Sequence, residues 1–268
     1  MFRNKTALIT GASSGLGAAL ALRFAEGGAN LGLFALDEEG LQEVGAECRE
    51  RGVRVLTTAG DVGSAGDCER WVSGSVAEFG TVDTLIACAG VSMWARFDEV
   101  QDVSLFRKLM ETNYLGTVHC VYHALPHLKA TQGMIVAITS IQGRIGVPLH
   151  TGYVASKHAL EGFFAALRAE LKGSGVHILT VLPHWLRGTN LRKQAFGTDG
   201  AALGESSRSH SKESISLDEC CKAIVGAMER RKRDLVIPWK LRILPWLNLI
   251  HPSIVEGLVS GKVDEQDG

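Results

Sequence analysis

Short apolar runs alternate along the chain with longer segments in which apolar residues recur at helical spacing. The runs at 6–10, 30–36, 53–58, 84–87, 134–139 and 176–182 are near-continuous in apolar and β-branched residues. That pattern predicts strands buried on both faces. Between them, 15–26, 38–51, 65–79, 103–130 and 152–172 repeat apolar residues every third or fourth position, which predicts helices. A further helix is predicted near 217–231 and a short strand near 234–237. Strands alternating with helices form a parallel sheet covered on both faces. With right-handed crossovers, the fold class is α/β: a doubly wound, Rossmann-type sheet of about seven strands.

Two regions break the rhythm. Residues 188–216 are rich in Gly, Ser and charge; a loop of that length in a compact domain is usually a functional lid or disordered, and here a substrate lid is expected. Residues 238–268 begin as an apolar tail interrupted by Pro238, Pro245 and Pro252. No repeat or linker divides the chain, so 1–268 reads as one dinucleotide-binding and catalytic domain.

Composition narrows the function classes. The chain has 268 residues and is 46% hydrophobic, enough for one large core. A formal net charge of −1 offers no basic field, so nucleic acid is excluded as a partner. Cys48, Cys68, Cys88, Cys120, Cys220 and Cys221 form no Cys-x-x-Cys pair, so neither a metal site nor a redox motif is expected. Scattered thiols fit a reducing compartment, and a cytoplasmic location is expected. The N-terminus has no signal-peptide pattern, and no apolar run reaches the roughly 18 residues of a membrane span.

The first predicted strand runs into Gly11-Ala12-Ser13-Ser14-Gly15-Leu16-Gly17, directly before the first helix. Glycines there allow positive φ and close approach of backbone to phosphate, and the helix N-terminus offers N–H groups to an anion. A plain tight turn is the competing account, but the strand–turn–helix context points to a nucleotide site. Asp37 follows the second strand, where an acid can bind the adenosine ribose hydroxyls. Because Glu38 and Glu39 follow, it can equally be a solvated acid opening a helix. Asp61-Val62 follows the third strand and can cap the adenine edge, and Cys88-Ala89-Gly90 follows the fourth. These positions share the carboxyl edge of the sheet, where such folds bind ligands.

Ser140 ends the fifth strand, and Tyr153 and Lys157 stand four residues apart on the next helix. That spacing stacks the two side chains on one helix face, with roughly 6 Å of rise between them. An ammonium there would favour the phenolate and bring the tyrosine toward physiological pH. The serine could hydrogen-bond the same substrate oxygen. The spacing alone is common, and a buried tyrosine beside a solvated lysine is the plain alternative.

Together these residues resemble the short-chain dehydrogenase/reductase family in its single-domain branch. The resemblance runs from Lys5 to about Thr189, and Asn113 in the long predicted helix adds to it. It implies a nicotinamide cofactor and hydride transfer to or from a carbonyl or alcohol carbon. It implies Tyr153 as general acid/base, with Lys157 lowering its pKa and binding the nicotinamide ribose. Ser140 would orient the substrate oxygen, and Asn113 would hold a water in a relay from Lys157 to solvent. Asn113, Tyr153, Lys157, Pro183 and Thr189 would also lie at the cofactor, with the glycine turn, Asp37, Asp61, Val62 and Cys88 to Gly90.

The chain departs from the family pattern in places. Cys88 stands where an asparagine is usual, and His184 replaces the glycine after Pro183. His184 would either line the pocket or turn to solvent. Thr189 falls one residue late for a carboxamide ligand. Members that prefer NADP place a base just after the second strand or in the glycine turn, where this chain has Leu36 and Ser14. Members that prefer NAD end that strand with an acid; here Ala35 holds the place and Asp37 follows. A carboxylate repels a 2′-phosphate, so of NAD and NADP the sequence leans to NAD.

Expected pocket residues are Met93, Trp94, Gln142, Leu149, His150, His184 and Trp185, closed by the 188–216 lid. Such walls suit a hydrophobic alcohol or ketone (steroid-, retinoid-, lipid- or aromatic-like) and not a phosphorylated sugar. Each aromatic could equally be ordinary core. In the tail, Trp239, Lys240, Arg242 and Trp246 lie among leucines. Peripheral membrane contact would use them, but packing on the protein itself or on a second subunit is the plainer account. The resemblance implies a homodimer or homotetramer built on helices 103–130 and 152–172. The apolar face of Leu160, Phe163, Phe164 and Leu167 fits that interface and could as well cover the sheet.

The leading function is therefore an oxidoreductase using Tyr153. A non-catalytic NAD(P)-binding regulatory protein is the first alternative, but it would need the glycine turn and not the Asn113–Ser140–Tyr153–Lys157 set. An epimerase or dehydratase is the second, and it would usually carry a larger C-terminal domain.

Overall fold

The apolar runs become β1 (Thr6–Thr10), β2 (Asn30–Ala35), β3 (Val55–Ala59), β4 (Thr84–Ala87), β5 (Met134–Ile138), β6 (His177–Pro183) and β7 (Asp234–Ile237). All pair in parallel, in the order β3-β2-β1-β4-β5-β6-β7. The structure is a computed structural model that describes residues 2–204 and 214–267.

Alternate residues of each strand enter opposite layers, which is why the runs are apolar throughout. Ala7, Ile9, Val136 and Ile138 face one core; Leu8, Ile135 and Ala137 face the other. The helices are α1 (Gly15–Glu26), α2 (Glu38–Glu50), α3 (Ala65–Phe79), α4 (Ser104–Met110), α5 (Gly116–Thr131), α6 (Thr151–Glu170) and α7 (Leu217–Glu229). The first core is closed by α1, α2 and α7, and the second by α3, α5 and α6. Strand order reverses between β1 and β4, because the connections from these strands leave toward opposite faces. A crevice opens at their carboxyl ends for that reason. Thr10 fixes its width: its Oγ1 accepts bonds from the backbone N–H of Cys88 and of Ala89, both at 3.0 Å.

The predicted helix 103–130 is not one helix. A π-helical turn at Glu111–Leu115 separates α4 from α5. π-turns of this kind insert one residue and often mark functional positions, and here the turn carries Asn113 into the interior, fully buried. On α6, Tyr153, Ser156, Lys157, Leu160, Phe164 and Leu167 share the buried stripe. Leu160, Phe164 and Leu167 pack against the sheet, with Phe163 at the margin of the same core. The face read as a candidate subunit interface thus covers the sheet of its own chain.

The described part of the 188–216 segment crosses the crevice. Phe196 donates its N–H to the Ser92 carbonyl and accepts from Trp94 N–H through its own, each at 2.9 Å. Residues 205–213 of the predicted lid lie outside the described residues.

The tail is helical where its prolines suggested breaks. Pro245 opens α8 (Leu244–Ile250) and Pro252 opens α9 (Pro252–Asp267), positions where a missing N–H costs nothing. Leu241, Leu244, Leu247 and Val255 pack on Ile141, Ile145, Leu182 and Val236. Trp239, Ile243, Trp246, Leu249 and Ile250 face outward and are exposed. Among the described residues, no helix is long and apolar enough to cross a membrane.

Candidate active site

A cleft of about 1020 Å³ runs along the carboxyl edge of the sheet. Its first half is built by the glycine turn. Gly11 and Gly15 have φ of +65° and +54°, in the left-handed region that favours glycine. A Cβ on Gly11 would meet the Ala89 backbone at 2.9 Å, and one on Gly17 would run into the Gly11 carbonyl. The turn therefore keeps a cradle that any side chain would fill. The first turn of α1 carries no acid, and the Ser14 side chain does not cap it. A pyrophosphate fits this cradle by shape and by charge. Ser13, Ser14, Leu16, Asp37, Asp61, Val62, Cys88, Ala89 and Gly90 line the same half.

Asp37 opens a helix, as its second reading expected, and also lines the cleft. Its carboxylate caps α2, accepting from Gly40 N–H at 3.2 Å, and it still lines the cleft beside Leu36, which is 76% exposed. The Asp61 carboxylate turns back to Gly63 N–H at 2.8 Å. The Val62 carbonyl accepts from the His119 ring at 3.0 Å and the Cys68 thiol at 3.4 Å, which fixes that wall. Thr189 lies over the turn, with its Cβ 3.5 Å from where a Gly15 Cβ would stand. Pro183 and Thr189 both line the cleft.

Ser140, Tyr153 and Lys157 meet at the middle of the cleft, all nearly buried. Ser140 follows β5 in extended backbone, and its Oγ accepts from Gln142 N–H at 3.2 Å. Lys157 donates to the Ile138 carbonyl at 3.1 Å, and its Nζ stands 5.5 Å from the centre of the Tyr153 ring. Burial pushes the Tyr153 phenol up to about 12, with the Ser140 hydroxyl pulling the other way. Burial pushes Lys157 down to about 8. The expected lowering of Tyr153 by Lys157 is not among the influences on the phenol; desolvation acts on both groups and favours their neutral forms. Burial also holds the Cys88 thiol up, at about 12, so this cysteine presents a neutral thiol to the cleft.

Asn113 does not line the cleft. Its amide nitrogen donates to the Val91 carbonyl and to Ser156 Oγ, both at 2.9 Å, and its Oδ1 accepts from Val91 N–H at 2.8 Å. Its own carbonyl accepts from the Thr117 hydroxyl at 2.9 Å. The residue expected to hold a relay water is, by its contacts, a clamp on the loop after β4. It still stands close to the lysine: a Cβ on Gly90 would be 3.1 Å from Asn113 Oδ1 and 3.6 Å from Lys157 Nζ.

The other half of the cleft is aromatic. Trp94, Gln142, His150, His184 and Trp185 line it as expected, and His184 faces in instead of turning to solvent. The His150 ring is edge-on to Trp94 at 4.8 Å and lies 6.4 Å from the Tyr153 ring. Its Nδ1–H donates to the Pro148 carbonyl at 2.8 Å. Met93 does not line this wall. It is fully buried with Leu105, Leu109 and Tyr153, and its sulfur accepts from Gly152 N–H at 3.0 Å. Leu149 lines a smaller neighbouring pocket across Trp94. Sequence reading missed Asn190, Leu191, Arg192, Gln194 and Phe196, which line the cleft from the crossing segment. Their loop carried a compositional signal but no residue-level one. Among the described residues, no cluster of metal-binding side chains occurs.

The chain's residues 5–199 match the model of the family described as short chain dehydrogenase. It is 36% identical over 253 residues to an 11-beta-hydroxysteroid dehydrogenase-like 4A of Arabidopsis thaliana, an alignment spanning 94% of this chain and 82% of that one. A solved alcohol dehydrogenase from the archaeon Thermococcus sibiricus, complexed with 5-hydroxy-NADP, superposes with a TM-score of 0.74 at 26% identity. That match covers 87% of this chain and 95% of the other. A short chain dehydrogenase from Mycobacterium paratuberculosis bound to NAD shares the fold, with a TM-score of 0.76 at 21% identity over 88% of this chain and 97% of that one. The chain belongs to the short-chain dehydrogenase/reductase family and is an NAD(P)-dependent dehydrogenase.

Proposed function

We propose that this short-chain dehydrogenase interconverts a hydrophobic, steroid-like or aromatic alcohol and its ketone, with Tyr153 as general acid/base and NAD(H) as the preferred cofactor. The carrying observation is that Ser140, Tyr153 and Lys157 converge between the glycine cradle and the aromatic half of one cleft. A bound nicotinamide supplies or accepts the hydride.

The chain's own residues do the rest. Ser140 and Tyr153 present two hydroxyls that hold the substrate oxygen and stabilise alkoxide charge as it builds. Tyr153, kept protonated by burial, is in the form that gives its proton to that oxygen in reduction. Lys157 follows on the same helix face and stabilises the phenolate left behind. Trp94 and Trp185, 5.8 Å apart between ring centres and tilted by 43° to each other, give an apolar wall for the body of the substrate. The segment from Gly188 acts as the lid, carrying Leu191 and Phe196 over the site. The relatives' names, which include hydroxysteroid dehydrogenases, agree with a wall of this kind.

A panel of hydrophobic alcohols and ketones, followed by nicotinamide absorbance, tests the reading, with Tyr153→Phe as control. The variant should lose on the order of a thousandfold in kcat while still binding NADH. Turnover that survives the substitution overturns the assigned mechanism.

A further inference from the structure

The tail is apolar on two opposite sides. Leu241, Leu244, Leu247 and Val255 turn inward and pack on Ile141, Ile145, Leu182 and Val236. Trp239, Ile243, Trp246 and Ile250 follow one another at steps of four, three and four, and this second stripe turns outward with Leu249 beside it. Trp239 is 74% exposed, Trp246 69% and Leu249 75%. On α9, Ile254 and Leu258 are exposed one turn apart, while Val255 and Val259 pack inward. A helix that is apolar all round belongs in an apolar medium, yet one side of this one stands open.

The rest of the chain has little to cover that side with. Residues 205–213, outside the described residues, hold no apolar side chain, and 262–268 hold Val263 alone. Exposed apolar groups clustered in this way mark a surface for a partner or a membrane. Charge and aromatic content choose between the two. From Leu235 to Val255 the sequence carries Lys240, Arg242 and His251 and no acid, and Lys240 and Arg242 are exposed close to Trp239. A second copy in a two-fold contact would set this patch against itself and bring its cations together. A bilayer with anionic headgroups suits both features: indole rings settle at the boundary of headgroup and acyl chain, and basic side chains reach the phosphates. With 7 residues in α8 and 16 in α9, neither helix is long enough to cross, so both would lie in the plane of the surface.

We propose that the 239–258 surface is a docking face for an anionic lipid bilayer. Trp239, Ile243, Trp246 and Leu249 enter the acyl boundary, and Lys240 and Arg242 hold headgroup phosphates. The inward stripe rests on Ile141 and Leu182, the neighbours in sequence of Ser140 and Pro183 in the cleft. Docking therefore holds the domain by the β6–β7 side of its sheet and leaves the adenosine end, beside β2 and β3 at the other edge, in water. This surface lies outside the cleft, so its role is independent of the Tyr153 mechanism.

Flotation of the full chain with vesicles in a density gradient tests it, using phosphatidylcholine alone and phosphatidylcholine mixed with phosphatidylglycerol. The protein should float with the mixed vesicles and partition roughly thirtyfold more weakly into phosphatidylcholine alone, as two basic residues at an anionic surface provide. Trp246→Ser with Leu249→Ser should lower partition into the mixed vesicles on the order of a hundredfold. Lys240→Gln with Arg242→Gln should bind both vesicles equally, at the level of phosphatidylcholine alone. All four side chains are exposed, so each double variant should melt with the parent and keep its cofactor affinity. A parent that floats with neither vesicle, that partitions equally into both, or whose flotation survives Trp246→Ser with Leu249→Ser overturns the proposal. Sedimentation velocity without vesicles separates the other occupant. A parent dimer that does not float and that Trp246→Ser with Leu249→Ser splits would give this face to a second copy, and overturns the proposal as well.

Discussion

Lys157 is a cation at a position that water hardly reaches, at 4% exposure, and it donates to one backbone carbonyl. Its pKa falls from 10.5 to about 8, and the cause is desolvation. The sign follows from linkage. Below pH 8 the ammonium is charged in folded and unfolded chains alike, so its burial cost is felt in full. Between about 8 and 10.5 the folded chain sheds the proton first, and stability rises with pH through that window. Lys157→Met removes the charge at similar volume. The stability difference between parent and variant should therefore move in the parent's favour by on the order of 3 kcal/mol as the pH rises through the window. Urea midpoints of both proteins at a series of pH values measure it, and a constant difference would show that Lys157 is not desolvated. At this scale the sequence was most legible. Ser140, Tyr153 and Lys157 were identifiable because their chemistry depends on residue type and on a spacing fixed by one helix. What the sequence could not supply was the balance between the lysine's charge and burial, which depends on distances set by β5 and the loop after β4.

At the scale of elements, the π-turn at Glu111–Leu115 is the clearest case of structure that hydrophobic pattern does not announce. Leu105 and Leu109 before it and Cys120, Val121 and Ala124 after it keep a helical rhythm, so 103–130 reads as one helix. The extra residue in the turn only re-aims Asn113. That side chain then satisfies both backbone groups of Val91 and the Ser156 hydroxyl, all near or within the buried interior. Removing it leaves both backbone groups of Val91 without partners, while the Ser156 hydroxyl keeps its bond to the Tyr153 carbonyl, and the orphaned groups cost more than the bonds themselves return. Asn113→Ala should lower stability by on the order of 2–4 kcal/mol, and Asn113→Asp, which keeps the acceptor and loses the donors, should fall between. Chemical denaturation checks this. Unchanged stability with lost turnover would instead make Asn113 a purely catalytic group. The tail teaches a related lesson. Pro245 and Pro252 read as interruptions, but a proline at the first turn of a helix starts it, and one sequence cannot say on which side the helix lies. The crossing segment was legible as a lid by composition. Its hydrogen bonds from Phe196 to Ser92 and Trp94 join chain positions far apart, and no local pattern encodes them.

For the whole molecule, strand order decides where charge matters. Because β2 lies beside β1, the end of β2 falls next to the glycine turn, and Ala35, Leu36 and Asp37 edge the cradle. A nucleotide whose pyrophosphate rests on α1 must then present its adenosine ribose to these residues. Ser13, Ser14, Ala35, Leu36, Asp37, Gly60 and Asp61 line this end, and none of these is basic. The chain's net charge of −1 adds no long-range attraction for an anion. A 2′-phosphate would meet the Asp37 carboxylate and the acidic first turn of α2, with Glu38 and Glu39, and find no counter-ion among the described residues that line this end. A 2′-hydroxyl instead finds an acceptor. Asp37 already binds Gly40 N–H through one oxygen, so it is held in place for that contact. NADH should therefore bind at least roughly tenfold more tightly than NADPH, since even a screened like-charge contact costs that order of energy. Leu36→Arg combined with Asp37→Ser should reverse the preference, because it replaces the nearest anion with a hydroxyl that can still cap α2 and supplies a cation at an exposed position. Titration of nicotinamide fluorescence with both cofactors, on parent and double variant, measures the preference. Tighter NADPH binding by the parent would mean that a cation reaches this edge from outside the residues that line it.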